Sequence, residues 1–363
     1  MPAATLFRYI ALRTIFAVAA MLTGLGCLVI LVDLVESLRF AGKFEATFWD
    51  ALSITLMRAP SIVLLMLPFI FLFASIWLFS ELNRRAEVAV MRSAGLSVWR
   101  LLGPAAFVAV ITGFLVMTVI DPATTHLLAQ SEILKDKLSG KSSSIVRVFG
   151  DGIWLHQREA DNVLIINARS FDPAAATLSH VVIWRLDGSS VFIERVDAPE
   201  ARLSGHTIEL KDALVKEANA RVDHRSPIYA VPTALTPDDL RERVDNPESL
   251  SLWRLPRFIL LAKAAGLPTV RYNLRFHELC STPLKLLAMV LIAAMFSLRP
   301  IRSGGAFKLL LFAIAAGFAL YVISEIFTAL GESGIAPVAL AAWAPALIAL
   351  LTASTGLLYM EEG

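Results

Sequence analysis

The sequence predicts an α-helical membrane protein: six transmembrane helices, three plus three, around an inserted all-β, jelly-roll-like domain. Three observations predict it. Apolar segments recur three times before about residue 120 and three times after about residue 272, each near the roughly 20 residues a helix needs to cross about 30 Å of hydrocarbon. The polar interval between them, from about Asp121 to Arg271, changes its hydrophobic period from helical to strand-like. Charged residues make up only 18% of the 363, against 56% hydrophobic, whereas soluble proteins carry about 25% charge. The organisation expected is therefore 1–120 for helices one to three, 121–271 for the β-domain with a C-terminal amphipathic helix, and 272–363 for helices four to six.

The first span is read over Ile15–Val35, closed by Asp33 and Glu36. Arg8 and Arg13 before an apolar run imitate a signal peptide, but a run from Thr14 to Val35 exceeds the usual signal core, which points to a retained first span. A polar connection, Ser37–Glu45, follows. The stretch Phe48–Phe79 is interrupted by Arg58-Ala59-Pro60, which predicts an entry turn and then a span over Ser61–Phe79, bent at Pro68. Glu81–Arg100 is charged, with a helical pattern of its own. The third span, Leu101–Ile120, is expected to stop at Asp121-Pro122, and spans four to six are placed at Pro283–Leu298, Ala306–Leu330 and Pro337–Tyr359.

Basic residues fix the orientation. Arg8 and Arg13 precede span one; Arg84, Arg85, Arg92 and Arg100 lie between spans two and three; Arg299, Arg302 and Lys308 lie between four and five. The alternate loops hold Arg39 and Lys43 in the first and no base around Glu332. Both termini are expected in the cytoplasm and the central domain in the periplasm.

In the central interval, Gly152–Gln157, Val163–Ser170, His180–Leu186, Val191–Val196 and His206–Leu210 are short runs rich in Val, Ile and aromatics. Turn formers at Asp172-Pro173, Asp187-Gly188 and Ser204-Gly205 separate them. Such strands without intervening helices predict an antiparallel sandwich or jelly roll. Ser251–Ala265, stopped by Gly266 and Pro268, reads as an amphipathic helix resting on the membrane surface.

Several function classes are excluded. A net charge of +2 without a basic tail gives no footprint for nucleic acid. Cys27 and Cys280 both sit in apolar surroundings, so no disulfide framework is expected. There is no phosphate-binding loop, no His-Glu-x-x-His and no Gly-x-Ser-x-Gly. The six histidines, among them His156, His180, His206 and His224, follow no metal-ligand spacing. No catalytic residue and no metal site is expected, and the chain is read as a non-enzyme.

The segment Glu81–Arg100 stands apart. Val88, Met91 and Leu96 can share an apolar side, with Arg84, Arg85, Glu87 and Arg92 as flanking charge and Gly95 as a left-handed cap. That pattern suits a positive-inside loop that happens to be helical, and equally a short helix for a groove on a cytoplasmic partner. Glu87-Val-Ala-Val-Met91-Arg-Ser-Ala-Gly95 resembles the coupling-helix motif of the lipopolysaccharide-export permeases, the LptF/LptG family. The same family ends span one in Val-Asp, here Val32-Asp33. It has Pro-Leu near the start of span four, here Pro283-Leu284, and Gly-x-x-Pro before span six, here Gly334–Pro337. The resemblance runs the whole chain, and Val32–Glu36 and Trp253–Tyr272 resemble the LptG branch more than LptF.

This resemblance implies a half-transporter in the bacterial inner membrane. Its expected partners are an LptF-like permease in a heterodimer, an LptB-like ATPase dimer, and an LptC- and LptA-like periplasmic bridge, with lipopolysaccharide as the substrate. No cofactor is expected in this chain; ATP and magnesium belong to the ATPase. Glu87 matches the coupling acid, with Met91 packing, Gly95 as stop, and Arg84, Arg85 and Arg92 beside them. A lipopolysaccharide cavity needs cations at headgroup depth. The candidates are Arg39, Lys43, Lys135, Lys137, Arg271, Arg275 and Lys285, with Asp33 at the end of span one. Glu325 is a possible partner for Lys285, whose plain alternative is snorkelling. Family members often carry basic residues just after the Val-Asp, where this chain has Val35, Glu36 and Ser37, so no role transfers to those positions. Two other readings stay open: a subunit of a different ABC exporter, and a proton-coupled secondary transporter using Lys285 and Glu325.

Overall fold

In lipid an unpaired backbone amide has no water to turn to, so a long apolar run folds as helix, where each N–H and C=O is satisfied within the segment. The computed structural model describes residues 3–139, 145–149, 152–158, 162–172, 177–187, 191–205, 207–218, 224–233, 250–264, 269–298 and 306–362. Its helices are α1 (Ala3–Lys43), α2 (Phe48–Arg84), α3 (Glu87–Ser93), α4 (Val98–Leu115), α5 (Asp121–Leu138), α6 (Leu255–Ala264), α7 (Val270–Ser297), α8 (Ala306–Glu332) and α9 (Val338–Glu362). A π-turn segment, Val116–Ile120, joins α4 to α5 without a break. Among the described residues, six helical stretches are long and apolar enough to cross a membrane: α1, α2, the α4–α5 rod, α7, α8 and α9. The three-plus-three layout around an inserted β-domain is what the sequence predicts.

The helix ends differ from the predicted ones in four places, and for one reason. The supposed loop Ser37–Lys43 continues α1 as helix. Pro60 and Pro68 both lie inside α2, which begins at a capping box formed by Thr47 and Asp50. Asp121-Pro122 does not end the third span: the Asp121 N–H reaches back to the Val116 carbonyl. That wider π-turn relieves the clash a proline ring makes with the carbonyl four residues earlier. Pro283 lies well inside α7 rather than at a span's start. Hydropathy locates where lipid ends, but these helices project beyond it.

The chain divides into two compact units, Met1–Leu128 with Leu274–Gly363, and Ala129–Asn273. In the first, α1 packs on α2 and α4, α2 on α8, and α8 on α9. The core runs through Phe71, Phe79, Leu102, Leu286, Met289 and Leu357. Glycines let helices touch closely here. A Cβ on Gly113 of α4 would lie 2.4 Å from the Pro283 Cα of α7, and one on Gly356 of α9 would lie 2.3 Å from the Met295 Sδ. Large apolar residues remain outward on α1 (Phe16, Leu28, Leu31, Val32) and α8 (Leu311, Phe312, Phe318).

Among the described residues the second unit holds seven strands: β1 (Ile145–Phe149), β2 (Gly152–Arg158), β3 (Asn162–Asp172), β4 (Thr177–Asp187), β5 (Phe192–Ser204), β6 (Thr207–Glu217) and β7 (His224–Pro232). They form one sheet in consecutive order, each pair antiparallel. β1 and β7 were not among the predicted strands. The predicted turn residues Pro173 and Gly188, the strand start His206 and the helix stop Gly266 and Pro268 lie outside the described residues, as do Arg299 and Arg302.

The buried phase of the strands shifts partway along. Leu178 gives way to Val181 and Ile183 in β4, Val196 and Ala198 to Ala201 and Leu203 in β5, and Ile208 and Leu210 to Ala213 and Val215 in β6. His180 (φ 51°) and Asp212 (φ 51°) sit in left-handed backbone at two of these shifts, and the register places all three shifts side by side. The pairing register runs on unchanged across these positions, so the pleat reverses its buried face without an inserted residue, and the sheet curls back on itself. The Thr233 hydroxyl, just past β7, donates to Oε1 of the buried Gln157 of β2 at 2.7 Å across four intervening strands. Tyr229 donates to the buried Glu194, which Arg185 also meets at 3.2 Å. Burial first, and then the Glu194 charge, push the Tyr229 phenol above its ordinary pKa. Helix α6 closes this core through Ala262 and Phe258. The apolar face expected on a membrane surface therefore packs on the sheet, leaving Trp253 and Leu260 outward.

Adding one methyl at Gly113 should lower the thermal unfolding midpoint of the detergent-solubilised protein, at a cost of about 1–3 kcal/mol. Gly24→Ala, where a Cβ meets nothing within 4 Å, should leave the midpoint unchanged or slightly raised.

Candidate functional site

Between α2 and α4 the chain makes a short excursion built around α3. Seven residues are too few for a helix to persist alone, so its ends and contacts must fix it. At its start Ala86 takes left-handed backbone (φ 58°) and offers no side-chain cap. At its end Gly95 has φ +79°, the Leu96 N–H donates to the Met91 carbonyl, and the Gly95 N–H donates to that of Arg92. This pair of bonds is a Schellman cap, for which glycine is the natural residue. Gly95 is thus the stop the sequence implies. Ser97 then caps α4 through the Arg100 N–H.

Val88 is buried and Met91 packs partly against the bundle core. The apolar side of α3, read from sequence as a face for a partner, is turned to this chain's own helices. The outward side carries Val90, 66% exposed, together with Arg92. Arg84 and Arg85 belong to the end of α2 and its cap, and both guanidinium groups meet Glu81 at 2.6 Å. The Glu81 hydrogen bond, the leading cause, raises the pKa of Arg85.

Glu87 lies beyond ion-pair distance of both arginines, although its charge acts on Arg85. The Tyr9 hydroxyl of α1 donates to its Oε2 at 2.9 Å, and Arg13 Nη1 lies 3.6 Å from Oε1. Arg13 also stands over the Tyr9 ring, 4.8 Å from its centroid. Sequence reasoning did not find Tyr9, which lies 78 residues from Glu87; no local pattern announces such a contact. On the same end of the bundle the Asn83 amide donates to the Ser297 carbonyl at 3.2 Å, tying α2 to α7.

The other end holds the polar groups proposed for lipid. Asp33 is buried and paired with Arg58 at 3.2 Å, with Glu36 of the same helix at 3.7 Å. Arg58, read from sequence only as an interruption, is Asp33's partner. A lone base inside an apolar run was the available signal, because such charges demand a partner. Arg275 binds the fully buried Asp121 at 3.1 Å. Two of the lipid candidates are thus engaged within the bundle. Lys285 sits among Glu278 and Glu325, with Glu278 the stronger influence, and Glu278 also accepts from Thr328 at 2.8 Å. The predicted partner Glu325 thus shares the surroundings of Lys285 with Glu278, two turns earlier on α7. His277 accepts a hydrogen bond from the Trp343 indole at 3.4 Å. Arg39 and Lys43 are exposed near the end of α1, Lys43 over the Phe44 ring. Lys135, Lys137 and Arg271 lie in the other unit, with Lys135 3.3 Å from Glu132.

Breaking a buried pair from one side leaves the other charge without compensation, at a cost of about 3–5 kcal/mol. Arg58→Gln should therefore lower the unfolding midpoint markedly, and adding Asp33→Asn should recover most of the loss. Equal midpoints for the single and double variants would rule out the pairing as the cause.

Residues 8–359 match the family described as lipopolysaccharide export system permease LptF/LptG. The chain is 25% identical over 346 residues to the lipopolysaccharide export system permease protein LptG of Haemophilus influenzae, covering 91% of each. It is 26% identical over 352 residues to the protein of that name from Escherichia coli K12, covering 90% of each.

Proposed function

Since the chain belongs to the lipopolysaccharide export system permease family LptF/LptG, we propose that it is one half of an ABC transporter that extracts lipopolysaccharide from the inner membrane. Energy comes from ATP and magnesium on a separate LptB-like ATPase dimer. The second half of the membrane cavity is an LptF-like permease, and an LptC- and LptA-like bridge receives the lipid. Both termini and α3 face the cytoplasm, and the β-domain faces the periplasm, as the arginine-rich loops favour.

The observation that carries this reading is α3 itself. It is a single short helix, fixed by a Schellman cap and a buried Val88, with a carboxylate at its first position and Val90 and Arg92 turned outward. A docking element for a second protein needs that combination: a rigid base and an outward mixed face. The outward apolar faces of α1 and α8 support a lipid-lined cavity shared with another permease. Because Asp33 and Arg275 are engaged internally, the headgroup candidates narrow to Arg39, Lys43, Lys135, Lys137, Arg271 and Lys285.

A second reading has one observation in its favour. Lys285 with Glu278 and Glu325 forms the kind of intramembrane acid–base group that proton-coupled transporters use. Transport that follows a proton gradient without ATP would select it.

A tagged chain co-expressed with its neighbours should co-purify a P-loop ATPase, and Glu87→Arg should reduce that recovery about tenfold or more. Photo-crosslinking to lipopolysaccharide should fall on Lys285→Glu or Arg39→Glu. Failure to recover an ATPase, together with intact export in Glu87→Arg, would defeat the proposal.

A further inference from the structure

We infer that Tyr9 and Arg13 of α1 are positioning residues for the Glu87 carboxylate, and that they tie movement of α3 to the first membrane helix. The inference rests on the docking role proposed for Glu87. Its starting point is that α3 cannot fix that carboxylate by itself. The helix is seven residues long and opens on a left-handed alanine without a side-chain cap. Arg84 and Arg85, adjacent in sequence, are turned to Glu81. Contacts from a distant element must then orient Glu87, and two do: the Tyr9 hydroxyl at 2.9 Å and the Arg13 guanidinium at 3.6 Å.

These two residues form a unit. Four positions apart, they share one face of α1. Ile10, between them, is fully buried in the same core as Val88. The Arg13 guanidinium lies over the Tyr9 ring, a cation–π contact that restricts both side chains. An ionised carboxylate has about four acceptor positions, and α1 engages one through a hydrogen bond and a second through charge. Glu87 keeps 27% of its side chain exposed. A cation from a docking partner can therefore complete the carboxylate's coordination without displacing α1.

The mechanical consequence follows from where α1 sits. In its candidate 18-residue window 17% of the residues are buried, against 50% in that of α2, while α1 still packs along α2 and α4. Glu87 adds a polar tie between α1 and α3 to that packing. A displacement applied to α3 thus reaches α1 directly, and not only through α2 and α4.

The test uses the complete transporter in proteoliposomes containing lipopolysaccharide. ATPase recovery on the tagged chain reads docking; lipopolysaccharide released per ATP hydrolysed reads transmission. Tyr9→Phe/Arg13→Gln should keep ATPase recovery within about twofold of wild type while lowering release per ATP about fivefold or more, the scale of losing charge-assisted bonds at a part-exposed site. Arg13→Lys, which keeps the cation, should hold the ratio near wild type. Unchanged release per ATP in the double variant would overturn the inference, as would loss of ATPase recovery in that variant, which would make α1 part of the dock. Should the double variant fail to accumulate, Tyr9→Phe alone decides: a fall of about twofold supports the inference and no fall overturns it. Glu87→Gln reports separately on the docking role: undiminished ATPase recovery there would remove that reading, whatever the α1 variants show.

Discussion

The absence of water in the hydrocarbon layer governs the structure. Every backbone amide that enters lipid must find its partner within its own helix, and every charge must find one nearby. The first demand explains why α1, α2 and the α4–α5 helix carry no break within lipid, although they run on to 41, 37 and 41 residues. At about 1.5 Å per residue these are near 55–60 Å long, far beyond the membrane's apolar layer. It also explains how prolines are accommodated. Pro60, Pro68, Pro104, Pro283 and Pro345 all sit inside helices, because losing one bond costs less in lipid than opening the ends of two helices. The second demand draws Asp33 to Arg58 and Asp121 to Arg275.

Much of this was legible in the sequence, and the rest was not for identifiable reasons. Hydropathy found all six spans because it measures the solvent that each segment meets. It misplaced ends such as Ser37–Lys43 and Asp121-Pro122, where helix continues into water or passes a proline through a π-turn. Five strands were visible because Val163–Ser170 and its like carry a dense apolar pattern. β1 and β7 escaped notice: β7 (HRSPIYAVP) contains two prolines and buries only Val231 among its described residues. The left-handed residues His180 and Asp212 were hidden because their types, though enriched in such backbone, adopt it only in a minority of cases.

The candidate site divides along the same line. Glu87 and Gly95 were readable since a local motif and a local cap define them. Who holds Glu87 was not, because Tyr9 and Arg13 reach it only through the folding together of α1, α2 and α4. For the inward cations, sequence supplied each charge without its counter-charge. Arg275 looked like a ligand for phosphate until Asp121 was seen beside it, and Lys285 was matched to Glu325 without the second carboxylate, Glu278, that also acts on it. Surface charge assignments are one-body readings; ion pairs in a helical bundle are two-body facts.

The approach of Gly113 to Pro283 has one more consequence. The two residues meet through a hydrogen atom and a closed ring, and neither possesses a side-chain torsion to rotate. Most helix contacts can slide, because their side chains exchange rotamers as the backbones shift. This one has no such slack. α4 and α8's neighbour α7 are left with two choices at that point, to turn about it or to part altogether. A spot without adjustable parts is a poor bearing for translation and a better fulcrum for rotation.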